Sequence, residues 1–78
     1  MARVLLFGRL ADIAGWRERE VEGASLADIR AALGADAMLA EALIGKGVQV
    51  AVDKVIVRGD GPVAAGSEVA FMPPMSGG

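Results

Sequence analysis

The last two residues of the sequence, Gly77 and Gly78, are the strongest candidates for chemistry in this chain. Glycine has no Cβ, so a backbone built from it fits a narrow channel, approaches a phosphate group closely and leaves the terminal carbonyl open to attack. The reactive group would be the C-terminal carboxylate of Gly78. A Gly-Gly dipeptide alone is more often a frayed chain end, so its meaning depends on the rest of the sequence.

The remainder of the chain offers almost no competing reactive groups. It has no cysteine and no histidine, which excludes disulfides, thiol nucleophiles, zinc fingers and the usual proton shuttle at neutral pH. Among its ten acidic side chains, Asp12 could pair with Asp60 or Glu68, but no spacing brings them together, and we expect solvated surface groups. The glycines match no phosphate-binding loop motif, and the RGD triplet at Arg58–Asp60 is interpreted as a turn.

Composition and charge narrow the class of protein. With 78 residues, of which 54% are hydrophobic and 4% aromatic, the chain can form one domain with an aliphatic core and is not a disordered segment. Its net charge of -2, with both signs scattered along the chain, provides no basic face for nucleic acid or acidic lipid. The apolar runs are too short to span a membrane, and no signal peptide precedes the first strand pattern. We therefore predict a cytoplasmic protein.

The first third of the chain predicts two strands. Val4–Phe7 is apolar on both faces, as expected of a central strand. Leu10–Gly15 is too short for a stable helix and ends in glycine, which favours a helical turn or a loop between strands. Trp16–Glu22 carries alternating charges, which is typical of an exposed edge strand.

The middle of the chain predicts two helices. Ser25 is a suitable N-cap, and Asp28 places a negative charge in the first turn, where the helix dipole favours it. Gly34 is positioned to end this main helix. Its apolar stripe consists of Leu26, Ile29 and Leu33. A second, short helix is predicted at 37–44, where the leucines are spaced by one helical turn.

The last third predicts a hairpin and a final strand. Val48–Val52 and Val55–Val57 flank Asp53-Lys54, a connection of hairpin length. Its turn type stays open, because Asp-Gly is the preferred pair there. Glu68–Met72 is the final strand.

Pro73-Pro74 should stop that strand, because proline lacks the amide donor that a sheet requires. Residues 73–78 should then leave the sheet as an extended, flexible tail with a reach of at most about 20 Å. The folded domain is predicted to span residues 1–72.

The order of these elements predicts an α+β fold. One main helix and a second short helix would cover one face of a mixed sheet of about five strands. A right-handed crossover through the helices would place a later strand parallel to the first. This is the ubiquitin-like β-grasp arrangement.

One face of the predicted sheet needs a cover. The strands are apolar on both faces, whereas a single helical layer covers only one. We therefore expect a protein interface that involves Phe7, Ile56 and Met72. The alternative is that loops of the chain itself close this face.

Three segments resemble a known family. Val4–Phe7, Val50–Asp53 and above all Phe71–Gly78 are similar to the small subunit of molybdopterin synthase, the MoaD-type sulfur carrier. The resemblance extends over essentially the whole chain in length and element order. The sequence departs from the family at Asp53, where asparagine is common, and at Met72, where phenylalanine is frequent. Carriers of the thiamine pathway share the fold and Gly-Gly, but Pro-Pro fits them less well.

The resemblance implies a carrier cycle. An activating enzyme would use ATP to adenylate Gly78, sulfur would replace AMP, and the thiocarboxylate would give its sulfur to a cyclic pyranopterin precursor in the active site of the large subunit. The chain would bind no permanent cofactor and no metal, and catalysis would belong to its partners. Beside Gly77 and Gly78, the implied contact residues are Phe7, Ile56, Phe71, Met72, Pro73, Pro74, Met75 and Ser76. A carrier for thiamine or another sulfur pathway, a ubiquitin-like modifier and a plain interaction module remain alternatives.

Overall fold

The computed structural model describes residues 1–74 of the chain. Within that range it contains five strands and three helices. In chain order they are β1 (Ala2–Leu6), α1 (Arg9–Ala14), β2 (Glu18–Val21), α2 (Leu26–Leu33), α3 (Ala37–Leu43), β3 (Gln49–Val52), β4 (Val55–Val57) and β5 (Glu68–Met72). The predicted tail residues Met75, Ser76, Gly77 and Gly78 lie outside the described residues. The division into a domain of residues 1–72 and a tail of residues 73–78 therefore stays a prediction.

The five strands form one mixed sheet in the order β2-β1-β5-β3-β4. β1 and β5 are parallel, whereas β1 with β2, β5 with β3 and β3 with β4 are antiparallel. This arrangement confirms the predicted mixed sheet and the parallel pairing of a late strand with the first. β5 consequently lies at the centre of the sheet and is hydrogen-bonded on both sides.

The hydrophobic core lies between the sheet and the helices. Side chains alternate along a strand, and the register places Val4 beside Val69 and Leu6 beside Phe71 on the helix-covered side. The helices complete this cluster with Leu10, Leu26, Ile29, Leu33, Leu39 and Leu43. Burial of each large aliphatic side chain contributes about 1.5–3 kcal/mol. A chain without cysteine thus holds its helices to the sheet by apolar packing.

Helix α1 differs from the expected turn or loop. Residues 10–15 were predicted to be too short for a helix, yet α1 makes six helical residues from Arg9 to Ala14. Leu10 and Ala11 are buried in the core, and Gly15 ends the helix in the left-handed region at φ 83°. A helix this short is unstable by itself. Its buried face supplies the stability that local sequence reasoning could not see.

The main helix, α2, has the predicted ends. The Ser25 hydroxyl accepts a hydrogen bond from the Asp28 backbone N–H at 3.1 Å, and the Asp28 carboxylate accepts one from the Ala24 N–H at 3.0 Å. This reciprocal pair satisfies amide groups that a helix start leaves without partners. Gly34 is the C-cap, although its φ of -66° is right-handed. The predicted second helix is present as α3 and has Asp36 as its N-cap.

The hairpin between β3 and β4 resolves the open turn type. Asp53 and Lys54 both have positive φ, 49° and 70°, as in the type I′ turns that match the twist of a hairpin. The Asp53 carboxylate accepts hydrogen bonds from the Ser67 hydroxyl and the Glu68 N–H, both at 3.0 Å. An aspartate at this position therefore ties the hairpin to the start of β5.

Strand β2 is an edge strand, as predicted, but it is shorter than the expected 16–22. Trp16 precedes it and packs half-buried against the core. The Arg19 guanidinium lies over the Trp16 ring, 4.6 Å from its centroid, a cation–π contact. The edge itself carries the exposed residues Glu18, Arg19 and Glu20. Among the described residues, no helix is long and apolar enough to cross a membrane.

Candidate functional site

The predicted tail leaves the domain from the middle of the sheet. β5 pairs with β1 on one side and with β3 on the other. At its end, the Phe7 N–H donates a hydrogen bond to the Phe71 carbonyl at 3.1 Å. Pro73 has no N–H and cannot extend the ladder, so the chain departs from the sheet at this residue, as predicted.

Pro73 and Pro74 lie against loops on both sides of this exit. A Cβ atom built on Gly8 would lie 3.0 Å from Cγ of Pro73, and one built on Gly47 would lie 2.7 Å from Cβ of Pro74. Pro73 is half-buried and Pro74 is exposed. The start of the tail is therefore packed against the folded body.

The reactive end predicted from sequence begins just beyond these prolines. Met75, Ser76, Gly77 and Gly78 lie outside the described residues, and their roles stay predictions. Four residues span at most about 13 Å when extended. The predicted reaction at Gly78 would therefore require an active site within this distance of Pro74.

The face of the sheet opposite the helices carries an apolar surface. Leu5, Ala70, Ala51 and Ile56 form one row across β1, β5, β3 and β4. Ala70 and Ala51 are each 7% exposed because larger neighbours flank them. Phe7 stands two residues after Leu5, so strand alternation places it on the same face, and both residues line a cleft with Arg17 and Glu18. We call this surface the open face, and it consists of Leu5, Phe7, Ala51, Ile56, Ala70 and Met72.

Charged side chains border the open face on its β2 side and at the beginning of β5. Arg3 contacts Glu68 at 3.1 Å and Glu18 at 3.7 Å; Arg3 and Glu68 lie toward the beginning of β1 and β5, whereas Glu18 lies beside Leu5 on β2. The apolar residues Phe7 and Met72 lie at the other end of these parallel strands. The apolar residues of the open face therefore reach the tail exit, and Glu18 borders them on the β2 side.

The structure leaves most of the predicted interface residues accessible. Phe7 is 48% exposed and Ile56 is 46% exposed, and Met72 is half-buried on the same face. Within residues 1–74, Phe7 and Ile56 are left uncovered by loops, and the protein interface on this face stays a prediction. Sequence reasoning named neither Leu5 nor Ala51 as part of the surface, although strand alternation with Phe7 and Ile56 carries that signal.

The prediction that Phe71 contacts a partner is wrong. Phe71 is 0% exposed, and its side chain points to the core because it alternates with Ala70 and Met72 along β5. The Arg30 guanidinium of α2 lies 5.4 Å from the centre of its ring. Phe71 is therefore a core residue that holds β5 to the helices.

Two of the three carboxylates considered for acid–base chemistry, Asp60 and Glu68, have structural partners. The Asp60 carboxylate accepts hydrogen bonds from the Ala27 N–H at 2.9 Å and the Gly61 N–H at 2.8 Å. The RGD triplet lies in the loop between β4 and β5, where Gly59 has a φ of 77°. Glu68 pairs with Arg3. The described residues thus offer a docking surface and a tail exit, and both point to chemistry performed on the chain by a partner.

Comparison with known proteins agrees with this geometry. The model of the ThiS family matches residues 4–78. Small archaeal modifier protein 1 from Haloferax volcanii has a crystal structure that superposes with a TM-score of 0.81 at 32% sequence identity, over 99% of this chain and 98% of that one. A putative molybdopterin converting factor, subunit 1, from Pyrococcus furiosus has a TM-score of 0.79 at 27% identity, over 95% and 97% of the two chains.

A third solved structure supports the fold alone. Small archaeal modifier protein 1 from Methanosarcina acetivorans is 20% identical and superposes with a TM-score of 0.83, over 99% of this chain and 95% of that one. Among curated protein sequences, no significant match was found. The neighbours confirm the ubiquitin-like β-grasp fold. The family model covers nearly the whole sequence, and this chain therefore belongs to the ThiS family of MoaD/ThiS ubiquitin-like sulfur carriers.

Proposed function

We propose that this chain is the sulfur-carrier subunit of a molybdopterin synthase, with the carboxylate of Gly78 as the carrier group. The observation that carries the proposal is the position of the apolar part of the open face beside the tail exit at Pro73. A partner that covers Phe7 and Met72 would receive the tail at the edge of the same interface. The similarity to the Pyrococcus furiosus converting factor supports the choice of pathway.

The proposed cycle begins with activation. An oxygen of the Gly78 carboxylate bonds to the α-phosphorus of ATP on an activating enzyme, and pyrophosphate leaves. A sulfur nucleophile from the sulfur source then attacks the carbonyl carbon of the acyl-adenylate, and AMP leaves with the acyl oxygen. The product is a thiocarboxylate on Gly78. Adenylation is needed because a carboxylate is a poor electrophile.

Transfer follows in the active site of the large subunit. The thiocarboxylate sulfur bonds to a carbon of the cyclic pyranopterin precursor while the bond from that carbon to an oxygen substituent breaks and the oxygen group leaves. Water then attacks the carbonyl carbon of the resulting thioester and cleaves its C–S bond. The sulfur stays on the pterin and the Gly78 carboxylate is regenerated. Because a dithiolene holds two sulfur atoms, each product consumes two charged carriers.

The chain's own contribution is docking and delivery. It has no histidine or cysteine, so proton transfer and sulfur supply belong to the two partners. The open face provides the apolar surface that excludes water at an interface, and the paired charges at Arg3 form a polar border on one side. ATP is consumed at every turn of the cycle, which fits the predicted cytoplasmic location.

Intact-mass spectrometry tests the proposal directly. After incubation of the full chain with the activating enzyme, ATP and a sulfur source, we expect the mass shift of one oxygen exchanged for sulfur. Deletion of Gly78 should abolish the shift, since the acceptor carboxylate would be displaced by one residue. Addition of the large subunit and the pterin precursor should then return the carrier to its starting mass. An unchanged mass before that addition would refute the carrier role.

A ubiquitin-like modifier is the second candidate. The 32% identity to small archaeal modifier protein 1 from Haloferax volcanii favours it. In that case the activated Gly78 would form an amide with a lysine amine of another protein. Peptide mapping of tryptic digests of cell extracts for residues 59–78 of this chain attached to a lysine distinguishes the two functions, since Arg58 is the last tryptic site in the sequence. Co-purification with a large subunit of the thiamine pathway would instead identify a carrier for that pathway.

A further inference from the structure

Two glycines that are distant in sequence contact the prolines at the tail exit. Gly8 follows β1 and has a φ of 56°, and Gly47 precedes β3 and has a φ of 86°. A Cβ on Gly8 would meet Pro73 at 3.0 Å, and one on Gly47 would meet Pro74 at 2.7 Å. The positive-φ glycines elsewhere in the described range have nothing within 4 Å, and they are Gly15, Gly59 and Gly66.

The topology explains why these two loops meet the prolines. β5 lies between β1 and β3 in the sheet. The chain segments at Gly8 and Gly47 therefore flank the end of β5 from opposite sides. Pro73 cannot donate a hydrogen bond to either neighbour, so van der Waals contact with these loops takes the place of the sheet ladder.

Contact on both sides restricts the direction of the chain. The pyrrolidine ring holds φ near -65° at each proline, at about ±15°, which leaves few backbone conformations for Pro73 and Pro74. Gly8 and Gly47 remove the remaining freedom by allowing the rings to approach the loop backbones. A side chain at either glycine would have to push its proline away.

We infer that Gly8 and Gly47 are positioning residues that form a two-sided seat for Pro73 and Pro74 and thereby set the direction in which the chain leaves the sheet at Pro74. Phe7 precedes Gly8 directly, so the docking surface and the seat are adjacent in the chain. The seat fixes the point, at Pro74, from which the predicted carrier group is delivered while the open face is docked. This inference rests on the proposed carrier role of Gly78.

The first test is the kinetics of thiocarboxylation for Gly47→Ala beside the control Gly66→Ala. The φ of Gly66 is 82°, so both variants place an alanine in the same strained backbone region, but only the first alanine meets a proline. We expect kcat of Gly47→Ala to fall at least about tenfold, since small misplacements of a reacting group cost up to about a hundredfold. The KM for the carrier should stay near that of the wild type, because the open face is intact. Gly66→Ala should keep the kcat of the wild type.

The second test is a double-mutant cycle on the other side of the seat. An alanine at position 8 meets Cγ of Pro73, and Pro73→Ala removes that atom. Gly8→Ala should therefore lower kcat in the wild-type background and have no further effect in the Pro73→Ala background. Equal losses in both backgrounds would show that Gly8 acts through backbone strain alone and would refute its contact role.

A distance measurement tests the seat independently of the proposed carrier function. The chain has no cysteine, so Ser76→Cys with Ala31→Cys on α2 gives a specific pair of nitroxide labels for pulsed electron paramagnetic resonance. We expect Gly47→Ala to shift or broaden the distance distribution, and Gly66→Ala to leave it unchanged. Identical distributions and equal kcat for the two variants would overturn the seat. A wild-type chain that never gains sulfur would overturn the proposed function instead, whatever the distances.

Discussion

The two faces of β5 carry neighbouring residues with opposite tasks. On one face, Val69 and Phe71 are fully buried beneath the helices, whereas on the other Ala70 and Met72 belong to the open face. All four are hydrophobic. Their hydrophobicity therefore does not tell which of them stabilise the fold and which are available to a partner. The distinction depends on where the helices pack.

The largest expected effect is on the covered face. Phe71→Ala should lower the free energy of unfolding by about 3–5 kcal/mol, because it removes a fully buried ring and leaves a cavity. Chemical denaturation followed by circular dichroism measures this loss. Met72→Ala is the matched control one residue away and should lose much less. Equal losses for the two variants would contradict the division between the faces.

A substitution on the open face should have a smaller effect, and it should change the affinity for the partner instead of the stability of the fold. Phe7→Ala should weaken the complex with the large subunit by about 2 kcal/mol, or roughly thirtyfold in Kd, as exposed aromatic anchors do at interfaces. The free energy of unfolding should change by less than about 1 kcal/mol, since the ring is 48% exposed. Isothermal titration calorimetry gives the Kd. If this variant binds with the affinity of the wild type, Phe7 does not contribute to the interface.

The stability of the helical layer also depends on the N-terminal cap of α2. Ser25→Ala removes the acceptor of the Asp28 N–H and should lower the free energy of unfolding by about 1 kcal/mol. Affinity for the large subunit should not change, because α2 lies on the face away from the docking surface. Ser25→Asp keeps an acceptor and should restore most of the stability. Loss of affinity in the folded alanine variant would mean that the helical side also contacts the partner.

The smallest effect is expected at the charged border of the open face. Arg3→Met breaks the contacts with Glu68 and Glu18, in which the arginine side chain is 52% exposed. Exposed ion pairs contribute about 0–1 kcal/mol, so the midpoint of thermal unfolding should move only slightly at low salt and not at all at high salt. A large loss of stability that persists in high salt would show that Arg3 has a packing role.

Much of the fold follows from local patterns. Ser25 and Asp28 predict the start of the main helix, Pro73 predicts the end of the last strand, and the spacing around Asp53 predicts a hairpin. Each of these signals depends on residues that are close in sequence. Helix α1 was missed because its stability comes from Leu10 in the core, a contact that no local pattern contains.

Part of the candidate site could also be predicted from the sequence. Exposed apolar side chains at Phe7 and Ile56 follow from strands that are apolar on both faces. Phe71 was wrongly assigned to the partner interface because the family resemblance includes the whole final segment. Side chains alternate along β5, so Phe71 and Met72 lie on opposite faces of the sheet. Knowing which of the two residues is buried requires knowing which face the helices cover.

The sequence by itself determined that this chain has no cysteine or histidine, ends in Gly-Gly and leaves its last strand at Pro73. These are statements of residue type and local backbone chemistry, and they pointed to a carboxylate on which partners act. Only the tertiary structure decided that Gly8 and Gly47 meet the prolines. These contacts join residues far apart in the chain, and they exist because β5 inserts between β1 and β3.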